Sequence, residues 1–222
     1  MRSSSAAKAL DFDSYPHLAS NIDNPEVADI LQIALDMDDT IFPILKAVQP
    51  WAAPDLDYSM IRKHGDLITH LGGGERAGDI FGKAFDFENS KNIGLLPGTK
   101  VGLNELNRYN IDLHIMTHRP NESYDDTKRF LEYYNIEYKT LACQSPIDKI
   151  ALCKENNITT LVDDKETLME EAEAEGIKPF SLTLPYNEAV MNKMGIESAR
   201  TWDELTPILL ASLNEKIGAR LS

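Results

Sequence analysis

Three carboxylates fall within four positions at the end of an apolar run. In LQIALDMDDTIFP, residues 31–43, the chain climbs to Leu35 and then presents Asp36, Asp38 and Asp39. Carboxylates this close repel one another, so a fold that gathers them needs positive charge beside them. Two other apolar runs also end in polar or charged residues, LHIMT at Thr117 and TLVDD at Asp163 and Asp164. Two carboxylates at alternate positions, joined by a third from a distant strand, form a hard oxygen cage suited to Mg²⁺. A cation held there offsets the repulsion and can neutralise charge in phosphoryl transfer. A carboxylate beside phosphorus can act as the nucleophile, giving an aspartyl-phosphate. A second carboxylate two residues on can protonate the leaving oxygen and then deprotonate water. A hydroxyl and a lysine nearby would hold the remaining phosphoryl oxygens.

The elements that must position these groups follow from the hydrophobic pattern. Residues 1–30 are polar and Ser/Asp-rich and read as a loose N-terminal arm with a short helix at NPEVADILQ. IALDM reads as a short buried strand. From residue 43 to 96, apolar residues recur at helical spacing, broken by Pro50, Pro54 and the Gly72–Gly74 run, which predicts a small helical cap inserted after the first strand. Beyond LLPGT, strands and helices alternate: IDLHIMT, YKTLAC, TTLVDD and KPFSLTL are predicted strands, with helical segments between them and a last helix in ARTWDELTPILLASLNEKI. This alternation predicts a three-layer α/β/α core with a parallel sheet, built from residues 31–42 and 97–222. Ligands of such sheets sit at the C-terminal strand ends, where Asp36, Asp38, Thr117 and Asp163 would meet.

On these residues the chain resembles a haloacid dehalogenase superfamily phosphohydrolase, over roughly residues 30–184. The first motif is DMDDT, Asp36 to Thr40; the second is Thr117; the third is a lysine best matched by Lys149 in SPIDKIALCKENNI; the fourth is LVDDK with Asp163 and Asp164. Any one is weak alone, but four in order on alternating elements are specific. The resemblance implies a Rossmann-like core and Mg²⁺ as cofactor. It implies Asp36 as nucleophile and metal ligand, and Asp38 as general acid/base lending its carbonyl to the metal. Thr117 and Lys149 would hold the phosphate, Asp163 would be the remaining metal ligand, and Asp164 its supporting neighbour. Thr40, His118 and Arg119 are expected to contact the substrate. The 5'(3')-deoxyribonucleotidase-like group looks most similar, through its insertion after the first motif and its DDK-type fourth motif, which implies a nucleotide substrate. Nucleotidases of this kind often read DMDG where this chain has Asp39. A phosphatase of another small metabolite, such as a sugar phosphate, and a non-catalytic binding protein of the same fold are the alternatives.

Blander readings compete at several positions. Lys154 or Lys165 could take the place of Lys149; His118 and Arg119 could be a solvent-facing loop; Asp163 or Asp164 could cap the helix that follows. LGGGERAGD lacks the lysine and hydroxyl of a P-loop and reads as a cap turn. Trp51, Phe81, Phe85 and Phe87 could line a base pocket or pack within the cap. The formal net charge of -14 argues against nucleic-acid or anionic-membrane partners. No apolar run spans a bilayer and no signal sequence is evident, so a cytoplasmic protein with reduced Cys143 and Cys153 is expected. The Leu-rich C-terminal helix with Trp202 reads as packing, with a homodimer contact as a further possibility.

Overall fold

The computed structural model describes residues 12–52, 61 and 64–222. Its centre is a six-stranded sheet of β1 (Gln32–Leu35), β2 (Asp112–Thr117), β3 (Thr140–Cys143), β4 (Thr160–Val162), β5 (Lys178–Leu182) and β6 (Glu197–Ala199). The strands are all parallel, in the order β3-β2-β1-β4-β5-β6. Parallel neighbours require crossovers, and the helices that make them cover both faces. Because side chains alternate along a strand, Ile33, Leu35, Leu113, Ile115 and Phe180 join one apolar cluster, whereas Ala34, Met116 and Leu161 join the other.

Helices α1 (Pro16–Ser20), α6 (Thr99–Arg108), α7 (Tyr124–Tyr133) and α11 (Trp202–Leu221) pack on the first face, through Leu18, Leu103, Phe130 and Leu209 among others. Helices α8 (Lys149–Glu155), α9 (Glu166–Ala174) and α10 (Glu188–Met194) cover the second, through Cys153, Met169 and Met191. Helices α6 and α11 approach closely at Gly102, where a Cβ would stand 2.5 Å from the Thr206 hydroxyl oxygen and 3.1 Å from the Trp202 Cβ. The apolar side of α11, Trp202 included, is buried inside the chain.

Among the described residues, four helices lie between β1 and α6: α2 (Ile44–Val48), α3 (His64–His70), α4 (Gly74–Phe85) and α5 (Phe87–Ser90). This is the predicted helical insertion. Its buried Ala47, Val48, Leu67, Ile80 and Ala84 continue the first apolar cluster. In LGGGERAGD, residues 71–73 make the turn from α3 and the rest opens α4, with Gly72 and Gly73 at φ +96° and +69°, a conformation a side chain would strain.

Three features differ from the sequence reading. The described part of the segment before β1, residues 12–31, is packed where its composition suggested looseness, and residues 1–11 lie outside the described residues: Tyr15, Leu18, Val27 and Ile30 are buried. The backbone N–H groups of His17 and Leu18 donate to Asn214 Oδ1 on α11 at 2.9 and 3.1 Å. A few well-placed apolar residues suffice to dock a polar segment when a long helix offers a groove. The expected helix at NPEVADILQ is one 3₁₀ turn, Pro25–Val27, opened by Asn24. Strand β6 and helix α10 had no sequence counterpart, since three residues of mixed polarity at a sheet edge carry no apolar run.

Candidate active site

Strands β2, β1 and β4 are adjacent and parallel, so their C-terminal ends share one edge. Asp36 follows β1, Thr117 closes β2 and Asp163 follows β4. The ladder runs one residue past the strands: Asp36 N–H donates to the Val162 carbonyl at 2.9 Å, and Asp163 N–H to the Phe180 carbonyl at 3.1 Å. That pairing fixes the backbone from which each carboxylate projects. Asp36, Asp38, Thr117, His118, Lys149 and Asp163 line one cavity of about 460 Å³, roofed by Ile68, Gly78, Phe81, Gly82 and Phe85 of the insertion.

The chain turns sharply after β1. Ile41 and Phe42 N–H groups both donate to the Met37 carbonyl, at 2.9 and 2.8 Å, and Asp39 N–H donates to the Phe42 carbonyl at 2.7 Å. Asp39 sits at φ +57°, a left-handed conformation that aspartate tolerates better than most residues. The Trp202 indole N–H donates to the Thr40 carbonyl at 2.7 Å and holds the turn from beneath.

Lys149 opens α8, whose N-terminus is capped by Asp148 accepting from Ala151 N–H at 2.8 Å. Its Nζ donates to Asp163 Oδ2 at 2.5 Å and to Asp36 Oδ1. Burial alone would lower the pKa of this ammonium; Asp163 and Asp36 outweigh burial and raise it above the ordinary lysine value, so Lys149 is charged. Of the competing lysines, Lys154 is exposed and pairs with Glu175, and Lys165 is exposed at the cavity rim. Cys153, on the same helix as Lys149, is a buried thiol pushed up to about 12 by burial, so it stays protonated.

Asp36, Asp39, Asp163 and Asp164 are all buried. Asp38 pairs with Arg119, and Lys149 pairs with Asp36 and Asp163. Burial pushes Asp36 well above the usual carboxylate range, with Lys149 opposing and Asp163, Asp164 and Asp38 reinforcing. Burial, then Asp164 and Asp38, raise Asp39 in the same way. Burial and Asp163 raise Asp164 to about 7. The Tyr186 hydroxyl contacts Asp39 Oδ2 at 3.1 Å and also Asp164 Oδ2. One hydroxyl proton serves one of these contacts, so the other needs a proton on a carboxyl.

The buried carboxylates of the site outnumber its buried cations, Lys149 and Arg119. Two carboxylates from different strands, Asp36 and Asp163, already converge on the single ammonium of Lys149. A divalent cation with oxygen ligands fits that donor set. Among the described residues no three His, Cys, Asp or Glu side chains form a ready cage. Two carboxylates alone leave most positions of such an ion to backbone oxygens or water, a demand that Mg²⁺, which retains much of its hydration, would tolerate.

The sequence-predicted site residues divide. Asp36, Asp38, Thr117, His118, Lys149, Asp163 and Asp164 share the cavity. Thr40 is fully buried and does not line it. Arg119 borders the cavity, but its side chain has no exposed surface and pairs with Asp38. The Thr117 hydroxyl accepts from Arg119 N–H at 3.2 Å, which leaves its own O–H to donate toward the cavity. Phe81 and Phe85 line the cavity, stacked 5.8 Å apart, whereas Phe87 packs against Tyr133. Tyr186 went unnoticed: it lies in a polar turn, and no spacing in the sequence ties it to Asp39.

No protein-family model matches the chain, and no curated protein matches it. Solved structures do. The structure of a HAD family hydrolase from Deinococcus radiodurans with bound phosphate and sodium is 13% identical, spans 84% of this chain and 97% of that one, and superposes with a TM-score of 0.57. A predicted phosphatase from Clostridium acetobutylicum is 16% identical over 81% of this chain and 98% of that one, with a TM-score of 0.60. A predicted phosphoglycolate phosphatase from Haemophilus somnus is 15% identical over 81% and 98%, with a TM-score of 0.52. The chain therefore has the HAD-like fold, with the helical insertion after β1. No helix among the described residues is long and apolar enough to cross a membrane.

Proposed function

We propose that the chain is a Mg²⁺-dependent phosphomonoester hydrolase that acts on a small phosphorylated metabolite through an aspartyl-phosphate at Asp36. The observation that carries this reading is the convergence of Asp36 and Asp163 on Lys149 at the floor of a cavity that also presents Asp38 and Thr117. An Asp36 oxygen bonds to phosphorus as the ester oxygen leaves, and that oxygen takes a proton from the Asp38 carboxyl. Water then attacks phosphorus and gives its proton back to Asp38. The Asp36–phosphorus bond breaks and inorganic phosphate is released. Lys149 and the Thr117 hydroxyl hold the non-bridging oxygens where negative charge concentrates. The Asp36 and Asp163 carboxylates and the Asp38 carbonyl would hold Mg²⁺, which would supply charge neutralisation at the phosphoryl group. Helices α3 and α4 roof the cavity and exclude water during phosphoenzyme formation.

The leaving group sits against Ile68, Phe81 and Phe85 and the open helix faces at Gly78 and Gly82. The names borne by structures of similar fold, a phosphoglycolate phosphatase among them, favour a small metabolite ester. The stacked Phe81–Phe85 wall keeps a nucleotide base as a second reading. Phosphate release from a panel of small-acid, sugar and nucleoside 5'- and 3'-phosphates decides between them. Replacing Asp36 by Asn is expected to cut Mg²⁺-dependent release from p-nitrophenyl phosphate at least about 10³-fold. Activity that survives this change, or that ignores EDTA, sinks the mechanism.

A further inference from the structure

An arginine two residues beyond the phosphate-facing Thr117 is placed to reach for a ligand, yet the Arg119 guanidinium is enclosed. Its Nε donates to Asp38 Oδ1 and Oδ2 at 3.2 and 3.1 Å, and Nη2 donates to Oδ1 at 2.7 Å. Nη1 donates to the Thr127 hydroxyl at 3.2 Å. All three nitrogens are thus engaged. Its Cζ lies over the rings of Phe42 and Phe85, 4.8 and 4.4 Å from their centroids. The Asp38 side chain keeps 18% exposure while that of Arg119 has none. The fork therefore grips the carboxylate from behind and leaves one side of it open to the cavity.

We propose that Arg119 is a positioning residue rather than a substrate contact: it fixes the orientation of the Asp38 carboxylate toward the leaving oxygen and, through Phe85, ties that orientation to the seating of the inserted helices. A two-point guanidinium–carboxylate pair sets direction as well as distance, which a single ammonium does not. Phe42 belongs to the turn that carries Asp38, and its carbonyl accepts the Asp39 N–H. Phe85 belongs to α4. Arg119 bridges these two parts of the chain, so a shift of α4 changes the packing around the fork that holds Asp38.

The inference rests on the hydrolase reading for its kinetic test. Arg119→Met, Arg119→Lys and Phe85→Leu are assayed with phenyl phosphate and Mg²⁺, with inorganic phosphate as competitive inhibitor and thermal melts as a check on folding. Arg119→Met is expected to lower kcat about 10²-fold, while KM and the phosphate Ki stay within about threefold. Arg119→Lys keeps the charge, loses the fork and recovers only part of kcat. Phe85→Leu lowers kcat less, and its effect shrinks in the Arg119→Met background. In an Asp38→Asn background, Arg119→Met adds less than about threefold. A tenfold rise in KM or phosphate Ki at constant kcat makes Arg119 a substrate contact and overturns the proposal, as do wild-type kinetics in Arg119→Met or full additivity with Asp38→Asn. Phe85→Leu without effect removes the link to α4. If Arg119→Met does not fold, Arg119→Lys decides by the same readouts. If the wild-type protein hydrolyses no phosphate ester with Mg²⁺, the hydrolase reading is what fails. A crystal structure of the Arg119 variant then decides: a turned Asp38 carboxylate supports positioning, and an unchanged one refutes it.

Discussion

Lys149→Met removes the ammonium that separates Asp36 from Asp163. These two side chains are 8% and 2% exposed, so water cannot replace the lost cation. Without metal, the cheapest relief is for one carboxyl to take a proton. At pH 7 this costs up to about 4 kcal/mol, at about 1.4 kcal/mol per pH unit from an unfolded-state value near 4. That agrees with the ~3–5 kcal/mol that breaking a buried pair costs. The native variant then binds a proton that its unfolded chain does not. Its stability therefore falls as pH rises, and near pH 5 the deficit shrinks to about 1.5 kcal/mol. For a chain of this length each kcal/mol moves Tm by about 2–4 °C, so the variant should melt ~8–16 °C below wild type at pH 7 and ~3–6 °C below at pH 5. A divalent cation held by the same two carboxylates, as proposed, would stabilise the fold by about 2.7 kcal/mol at a hundred times its Kd. Mg²⁺ should therefore return much of the lost Tm. The assay is calorimetric or circular-dichroism melting of both proteins at pH 5 and 7, in EDTA and in Mg²⁺. Equal melting in EDTA, a deficit that does not change with pH, or a variant indifferent to Mg²⁺ would refute the reasoning.

Two further outcomes follow from the same geometry. Burial and Asp163 hold Asp164 at about 7, above its unfolded value of 3.8, so the native state binds the extra proton and metal-free stability falls as pH rises through that window. Asp164→Asn does not titrate and can still accept from Tyr186. In EDTA it should exceed wild type by roughly 2–4 kcal/mol at pH 8 and match it near pH 4 in urea titrations; a wild-type advantage at pH 8 contradicts the argument. A Cβ at Gly78 would meet nothing within 4 Å, on the α4 face that roofs the cavity. Gly78→Leu should lower kcat/KM for naphthyl phosphate about tenfold or more and spare a two-carbon phosphate ester. Its Tm should hold or rise, because leucine favours the helix by up to about 1 kcal/mol over glycine; equal losses on both esters place the leaving group elsewhere.

Much of the fold is legible in local pattern. An apolar run of strand length that ends in a polar or charged residue names β1, β2 and β4, and the helical period between them names the crossovers, because burial on two faces leaves that mark on the residues themselves. Chain order and the parallel rule then bring Asp36, Thr117 and Asp163 to one edge. The pattern fails where an element is short or polar. Strand β6 takes its place from pairing with β5, and the segment around Tyr15 and Leu18 takes its place from α11.

Which side chains could do chemistry, and in what order along the chain, was written in the sequence: residue type and strand-end position are local properties. How those side chains pair was decided only when distant elements met. Arg119 reaches Asp38 across 81 residues, Tyr186 reaches Asp39 across 147, and Trp202 reaches the Thr40 carbonyl across 162. Each contact gives a polar side chain a partner that no spacing in the sequence indicates. The reason is physical: a buried polar group takes whichever partner packing places within about 3 Å, and that partner is set by the meeting of elements, not by sequence spacing.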